Sequence, residues 1–153
     1  MKYRKAEMGD LPGLLEIYPL LFEASAALQP HRFQKAQQDE AFLRGTILGD
    51  DSDILVAEDG GRIVGFALLL QMETPPYKCV VRHGYAYLMD LLVIPGYRRR
   101  GVGGELLSRA VLWAKDKGLD FVELNVLAQN EDAIRFYKKH GFFDTMKTMQ
   151  HMV

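Results

Sequence analysis

The most informative part of this chain is residues 91–104, which read Leu-Leu-Val-Ile-Pro-Gly-Tyr-Arg-Arg-Arg-Gly-Val-Gly-Gly. An apolar run that stops at Pro95-Gly96 is typical of a buried strand followed by a turn. The arginines and glycines then lead into a helical pattern that includes Leu106, Leu107 and Ala110. Because the first amides of a helix have no intrahelical partner and lie at the positive end of its dipole, this junction predicts an anion site that suits phosphate.

The loop Arg98–Gly104 differs from two common phosphate-binding motifs. No Gly-Lys-Ser/Thr follows, as a P-loop requires, and Leu106 stands where a dinucleotide fingerprint needs its third glycine. Taken alone, the loop could equally be a solvated basic turn whose glycines only tighten the backbone. A nucleic-acid contact is disfavoured, because the chain has a net charge of −1 and no basic stripe.

Length and composition predict one ordinary globular domain over residues 1–153, with 48% hydrophobic and 25% charged residues. The single cysteine, Cys79, permits no internal disulfide and favours a reducing compartment. The N-terminus lacks the apolar core of a signal peptide, and we expect no segment long enough to span a membrane. These features predict a cytoplasmic protein with neither a nucleic-acid nor a membrane partner.

The hydrophobic patterns predict an α/β fold with an antiparallel hairpin half and a strand–helix–strand half. Pro19 is expected to kink or interrupt the first helix. The predicted elements are strand Lys2–Ala6, a helix from Asp10 to about Phe22, helix Ala36–Leu48, a hairpin of Ile54–Glu58 and Arg62–Met72, strand Tyr85–Val93, helix Gly103–Lys117, strand Leu119–Leu127, a helix between Asn130 and Gly141, and one or two strands over Phe142–Val153.

Two blocks of this chain resemble the GNAT superfamily of N-acetyltransferases, and together they lie within Tyr87–Phe143. The family's first block is a strand with a Val-x-Pro-like end, followed by (Gln/Arg)-x-x-Gly-x-(Gly/Ala). It is matched by Val93, Pro95, Arg98, Gly101 and Gly103. The second block, Asn-x-x-Ala-x-x-x-Tyr-x-x-x-Gly-Phe, is matched by Asn130, Ala133, Tyr137, Gly141 and Phe142. Two blocks in the family's order and spacing are far more specific than either alone.

The resemblance implies a GNAT-like mixed central sheet, splayed between two parallel strands, with flanking helices. It also implies an N-acetyltransferase that moves an acetyl group from acetyl-CoA to a primary amine by direct attack in a ternary complex. Amides of the loop would bind the pyrophosphate of coenzyme A, and Arg98 would mainly support the loop. The pantetheine arm would lie in the splay, where an amide near Leu92 would polarise the thioester carbonyl. The implied cofactor-binding residues are Leu91, Leu92, Val93, Arg98, Arg99, Arg100, Gly101, Val102, Gly103, Gly104, Asn130, Ala133 and Tyr137.

Proton transfer needs an acid and a base, and the chain offers candidates for both. The resemblance gives the acid role to Tyr137, whose phenol has a pKa of about 10, close enough to a thiol at about 8.5 to reprotonate it. For the base we favour Asp90 acting through a water, with Glu73 as a second candidate and His31 and His83 as weaker ones. The regular alternation of a strand places Asp90 on the face opposite the tyrosines of the same strand.

The amine acceptor is expected between the 22–32 and 72–82 regions, opposite coenzyme A. The candidate acceptor residues are Glu23, His31, Glu73, Tyr85 and Tyr87. Among them acids outnumber strong bases, which suits a cationic small-molecule or peptide amine, although alternating tyrosines are equally typical of an ordinary half-buried strand. Similar polyamine acetyltransferases carry Glu-Asp where this chain has Met89-Asp90, so a non-catalytic acyl-CoA-binding module is the alternative function. The resemblance also makes a homodimer possible, and we expect no metal.

Overall fold

The computed structural model describes residues 1–153 and forms one five-stranded sheet with helices on both faces. The strands run in the order β1-β2-β3-β4-β5, all antiparallel except the parallel pair β4–β5. The elements are β1 (Lys2–Lys5), a 3-10 turn (Met8–Asp10), α1 (Leu11–Leu28), α2 (Glu40–Leu48), β2 (Ser52–Asp59), β3 (Arg62–Glu73), β4 (Gly84–Val93), α3 (Val102–Asp116), β5 (Val122–Glu123) and α4 (Glu131–Lys139). The predicted mixed α/β architecture with a sheet splayed beside its parallel pair is confirmed.

Helices α1 and α3 cover opposite faces of β3. The ring of Tyr18 packs on Phe66, with centroids 4.7 Å apart. On the other face, Leu106 of α3 lies against Gly65, where a Cβ atom would be 3.4 Å from its Cδ1 atom. Because neighbouring residues of a strand point to opposite faces, the sheet is buried between the two helices.

Helix α1 is continuous through Pro19, so the expected interruption is wrong. A proline inside a helix removes one amide donor, but the buried stripe that includes Leu14 and Tyr18 holds the helix against the sheet. Residues Met8–Leu28 are also long and apolar enough to meet the length and composition criteria of a membrane span, contrary to expectation. In this structure, however, the helix serves as a core element, since both stripe residues are completely buried.

The parallel pair is much shorter than predicted, because strand β5 has only two residues. It pairs with β4 at Ala86 and Tyr87, and the pairing ends there. The edge of β4 beyond Tyr87 is therefore open, which is the splay that the family resemblance implied.

The strand or strand pair predicted over Phe142–Val153 does not form. After Phe142 no backbone group of this segment bonds to another backbone group. Two side-chain contacts hold it, one from Gln150 to His31 and one from Asp144 to Lys138. A strand needs a neighbouring strand to pair with, and this chain brings none to the segment.

Candidate active site

The loop Arg98–Gly104 presents seven backbone amides in a row, and none of them donates a hydrogen bond to a protein atom. The first intrahelical bond of α3 comes from Glu105, which donates to Gly101 at 3.0 Å. These free donors lie at the N-terminus of a 15-residue helix, where the dipole adds positive potential. The loop therefore has the donor set that an anion such as pyrophosphate requires.

The shape of the loop is fixed by its own residues. Arg99 and Gly101 both adopt left-handed backbone angles, with φ of 62° and 81°. Alternating backbone conformations of this kind turn successive amides toward a common point and form an anion-binding nest. The Nε atom of Arg98 donates to the carbonyl of Val93 at 3.0 Å, and the Val102 side chain is buried. Arg98 thus ties the loop to β4, as expected from the resemblance.

Gly103 and Gly104 leave space for helix α4. Both lie in helix α3 without left-handed angles, and they allow α4 to approach closely. A Cβ atom on Gly103 would be 3.4 Å from Phe136, and one on Gly104 would be 3.2 Å from His140. The glycines therefore bring α4, and with it Tyr137, beside the loop.

The open edge of β4 offers specific amides to a ligand. The amide of Ile94 donates across the sheet to the carbonyl of Val64 at 2.9 Å. Amide directions alternate along an antiparallel strand, so the Leu92 amide also points toward β3, whereas those of Leu91 and Val93 point to the open edge. An oxyanion donor at this open edge would therefore be the amide of Leu91 or Val93, because the Leu92 amide points toward β3.

A β-bulge at Met89 changes the direction of every side chain beyond it. The consecutive β3 residues Leu69 and Leu68 lie opposite Leu88 and Asp90, and Met89 is the extra residue between them. One extra residue reverses the alternation of side chains. Asp90 therefore lies on the same face as the two tyrosines of β4, and the expectation that it faces the opposite side is wrong.

Asp90 is a half-buried carboxylate with one protein partner. The hydroxyl of Tyr18 donates a short hydrogen bond to its Oδ2 atom. Burial raises the pKa of Asp90, and the hydrogen bond from Tyr18 partly offsets this rise. A carboxylate with a raised pKa accepts a proton more readily than an ordinary aspartate, which suits a general base.

Tyr137 lies on α4 with its ring packed between Phe136 and Phe142. Burial, followed by the charge of Asp90, raises the pKa of Tyr137 to about 12. The phenol is therefore protonated at neutral pH and available as a proton donor. Asn130 caps the same helix by accepting a hydrogen bond from the amide of Ala133 at 3.3 Å.

The acceptor candidates form two groups. Tyr85 stacks on Phe121, and the hydroxyl of Tyr87 accepts a hydrogen bond from Asn125 at 3.1 Å. Both tyrosines share the face of Asp90. They lie beside the splay and can line a substrate path to the carboxylate.

The other candidates are not gathered around Asp90. Glu73 pairs with Gly84 at the far end of β4, roughly 17 Å along the strand from Asp90. His83 lies at that same end and contacts Asp120 at 2.7 Å. This distance argues against Glu73 or His83 as the base.

Glu23 and His31 are exposed. The His31 ring lies 2.9 Å from the side-chain oxygen of Gln150. No three His, Cys, Asp or Glu side chains come close enough together to hold a metal ion.

Sequence reasoning missed Tyr18. This residue belongs to the buried stripe of α1. The available signal was a hydroxyl in a stripe whose other buried members, Leu11, Leu14 and Ile17, are aliphatic. A phenol at such a position needs a buried hydrogen-bond partner, and here the partner is the proposed base.

Comparisons with known proteins agree with this architecture. The model of the acetyltransferase (GNAT) family matches residues 14–142. An uncharacterized N-acetyltransferase of Methanocaldococcus jannaschii is 29% identical over 139 residues, which cover 91% of this chain and 59% of that protein. The chain thus spans less than two thirds of that relative's length.

Two solved structures share the fold. A tetramutant of the BH1408 protein of Bacillus halodurans is 23% identical and aligns over 100% of both chains with a TM-score of 0.93. An aminoglycoside N-acetyltransferase in complex with CoA is 17% identical and aligns over 99% of this chain and 98% of its own with a TM-score of 0.72. With the family match over most of its length, this chain belongs to the acetyltransferase (GNAT) family.

Proposed function

We propose that this protein transfers an acetyl group from acetyl-CoA to a primary amine by direct attack in a ternary complex. One observation carries the proposal: seven unpaired amides follow the end of the same strand whose open edge begins beside Asp90. The carboxylate, the open backbone edge and the anion site thus follow one another along β4 and the loop after it. Membership of the family and a structural neighbour crystallised with CoA support the choice of coenzyme A.

The residues present fit coenzyme A. The amides of Arg99–Gly104 would hold the pyrophosphate, and the free amides of Leu91 and Val93 would bind the pantetheine arm in the manner of an added strand. When bound, acetyl-CoA supplies an activated thioester. One amide at the open edge would donate to its carbonyl oxygen as negative charge develops there.

Two side chains of this protein would move the protons. Asp90, through a water, takes a proton from the ammonium group of the acceptor, and the free amine nitrogen then attacks the thioester carbon. As the new C–N bond forms and the C–S bond breaks, Tyr137 donates its proton to the departing sulfur. The second amine proton returns through water to Tyr137, so the products are the N-acetyl amine, the free thiol and one proton released to solvent from Asp90.

The proposed acceptor is a cationic amine, either a small molecule or a peptide amine. The tyrosine pair Tyr85 and Tyr87 supplies aromatic surface on the face of Asp90, and such surfaces favour cations. Structural neighbours described as aminoglycoside acetyltransferases support an amine of this kind. A panel of polyamines, aminoglycosides, amino acids and peptides would cover the chemical range.

Release of free thiol from acetyl-CoA in the presence of this panel tests the proposal. We expect turnover on at least one amine, and we expect Asp90→Asn to lower kcat about a hundredfold or more while acetyl-CoA binding is retained. Tight acetyl-CoA binding with no turnover on any amine would favour the non-catalytic binding module instead.

We further propose that the protein is a homodimer in the cytoplasm. Its accessible surface is 10080 Å², whereas a compact monomer of 17.4 kDa exposes about 7,900 Å². The excess of roughly 2,000 Å² is of the size that an obligate dimer buries. Part of it lies on the segment Phe142–Val153, where Met146 and Met149 are 88% and 90% exposed.

A second copy of this chain would cover that segment and pair its free backbone groups. The free thiol of Cys79 fits a reducing compartment. Sedimentation velocity at micromolar concentration is expected to give twice the chain mass, and a monomer at every concentration would contradict the dimer.

A further inference from the structure

Tyr18 joins the helix layer to the carboxylate at the splay. Its side chain is completely buried, and its ring is held by Phe66 and by Phe22, whose centroids lie 4.7 Å and 5.3 Å away. Its hydroxyl donates to the Oδ2 atom of Asp90, which is 72 residues away in sequence. No other protein group donates a hydrogen bond to this carboxylate.

We propose that Tyr18 is a positioning residue that fixes the orientation of the Asp90 carboxylate, leaving Oδ1 as the atom that accepts the proton. This inference rests on the proposed function, in which Asp90 is the base. Oδ1 has no hydrogen-bond partner in the protein. Every side-chain polar atom that is buried in this structure does have a partner, so Oδ1 must be in contact with solvent. A water can therefore reach it.

The geometry explains why a phenol suits this position. A carboxylate on a strand can rotate about its side-chain bonds, and a base is efficient only when one lone pair points at the substrate. The Tyr18 ring cannot move without disturbing two aromatic contacts. Its hydroxyl therefore holds Oδ2 in one position.

Tyr18 also sets the protonation state of the base. Burial alone would raise the pKa of Asp90 and leave more of it protonated at neutral pH. The hydrogen bond from Tyr18 favours the ionised carboxylate and lowers that pKa. The titratable groups facing Asp90 are Tyr18 from α1 and Tyr137 from α4, and the pKa values of both are raised, so both stay neutral where Asp90 titrates.

Tyr18→Phe tests the proposal, because it removes the hydroxyl and keeps the ring. We expect kcat to fall about tenfold, the value of a hydrogen bond to a charged group. The acidic limb of the kcat/KM profile should move to higher pH, because the base then holds its proton more tightly. Tyr3→Phe removes a phenol from the edge strand β1 and serves as the control that leaves rate and profile unchanged.

A second readout does not depend on turnover. Carbon-13 NMR of labelled aspartate follows the titration of Asp90, with Asp90→Asn assigning its signal. The proposal predicts a higher pKa for Asp90 in Tyr18→Phe, even if no acceptor amine has been found. Thermal unfolding of the variant would check that the fold is retained.

The outcomes separate this proposal from the proposed function. An unchanged Asp90 pKa in Tyr18→Phe would overturn the inference while leaving acetyl transfer untouched. A raised pKa with unchanged kcat and an unchanged acidic limb in an active enzyme would also overturn it, since Asp90 would then not be the base that Tyr18 positions. A raised pKa with both kinetic changes would support it.

Discussion

Two segments of this protein leave their backbone amides unpaired. One is held in a fixed shape by its neighbours, and the other has few contacts with the rest of the protein. In the loop Arg98–Gly104 the free amides are held by a bond to Val93, two left-handed residues and the buried Val102. In the segment Phe142–Val153 the free backbone has no regular secondary structure, and two side-chain contacts hold it. Unpaired groups in a fixed frame indicate a small ligand, whereas unpaired groups along a segment with exposed apolar side chains indicate another chain.

The largest effect is expected in the C-terminal segment, on replacing Met146 and Met149 by lysine. Burial of each methionine side chain is expected to stabilise the dimer by about 2 kcal/mol. A lysine at the same position loses this stabilisation and adds the cost of burying a charge. The dimer dissociation constant should therefore rise by about a thousandfold or more. Analytical ultracentrifugation would measure this change.

The matched control places the same charges on the outer surface of α3, at Val111 and Leu112, which are also exposed apolar residues. This double variant should remain dimeric. If both variants dissociate equally, the effect of the lysines is not specific to the C-terminal segment. If neither dissociates, the segment does not form the dimer interface.

The second effect concerns the loop. Gly101→Val forces a β-branched residue into a left-handed conformation, so the loop should rearrange and turn its amides away from the ligand. We expect acetyl-CoA affinity to fall about a hundredfold, consistent with the loss of several charge-assisted hydrogen bonds. Isothermal titration calorimetry would measure it.

Gly61→Val is the control, because Gly61 has φ of 83° and open space around it, like Gly101, but lies in the β2–β3 hairpin. The two variants should lose similar stability, and only Gly101→Val should lose affinity. Equal affinity in both variants would refute the assignment of the loop as the pyrophosphate site.

The third effect separates chemistry from binding at α4. Tyr137→Phe keeps the ring that packs on Phe136 and removes the proton donor. We expect kcat to fall about thirtyfold, somewhat less than the contribution of a typical general acid, because water can also protonate a departing thiolate. Acetyl-CoA affinity should be unchanged by calorimetry. A normal rate in this variant would exclude Tyr137 as the acid.

The smallest effect is expected from the exposed arginines of the loop. Because the amides carry the binding, Arg99→Ala should weaken acetyl-CoA binding only about threefold, as is typical of an exposed charge. A loss greater than about thirtyfold would show that the charge of the side chain matters more than the frame of amides.

The sequence predicted the starts of α3 and α4 well because their signals are local. Asn130 caps α4 and the helix after the loop begins at Val102, within one residue of expectation. Both positions are fixed by residues within a turn of the boundary, so no distant contact can shift them. Arg98 and the splay followed from the family resemblance.

The remaining features depend on distant parts of the chain. The bulge at Met89 reverses the face of Asp90, and nothing in the local alternation signals it. The bond between Tyr18 and Asp90 joins two elements far apart in sequence. The strand expected at the C-terminus requires a pairing partner, which the sequence of one chain does not specify.

The most direct test of the central claim compares the amides of the loop with those of the strand edge. Nitrogen-15 NMR spectra would be recorded during titration with coenzyme A and, separately, with pantetheine, which lacks the pyrophosphate. We predict that the amides of Arg99, Gly101 and Gly103 shift only with coenzyme A, whereas those of Leu91 and Val93 shift with both. Unshifted loop amides at saturating coenzyme A would contradict the account.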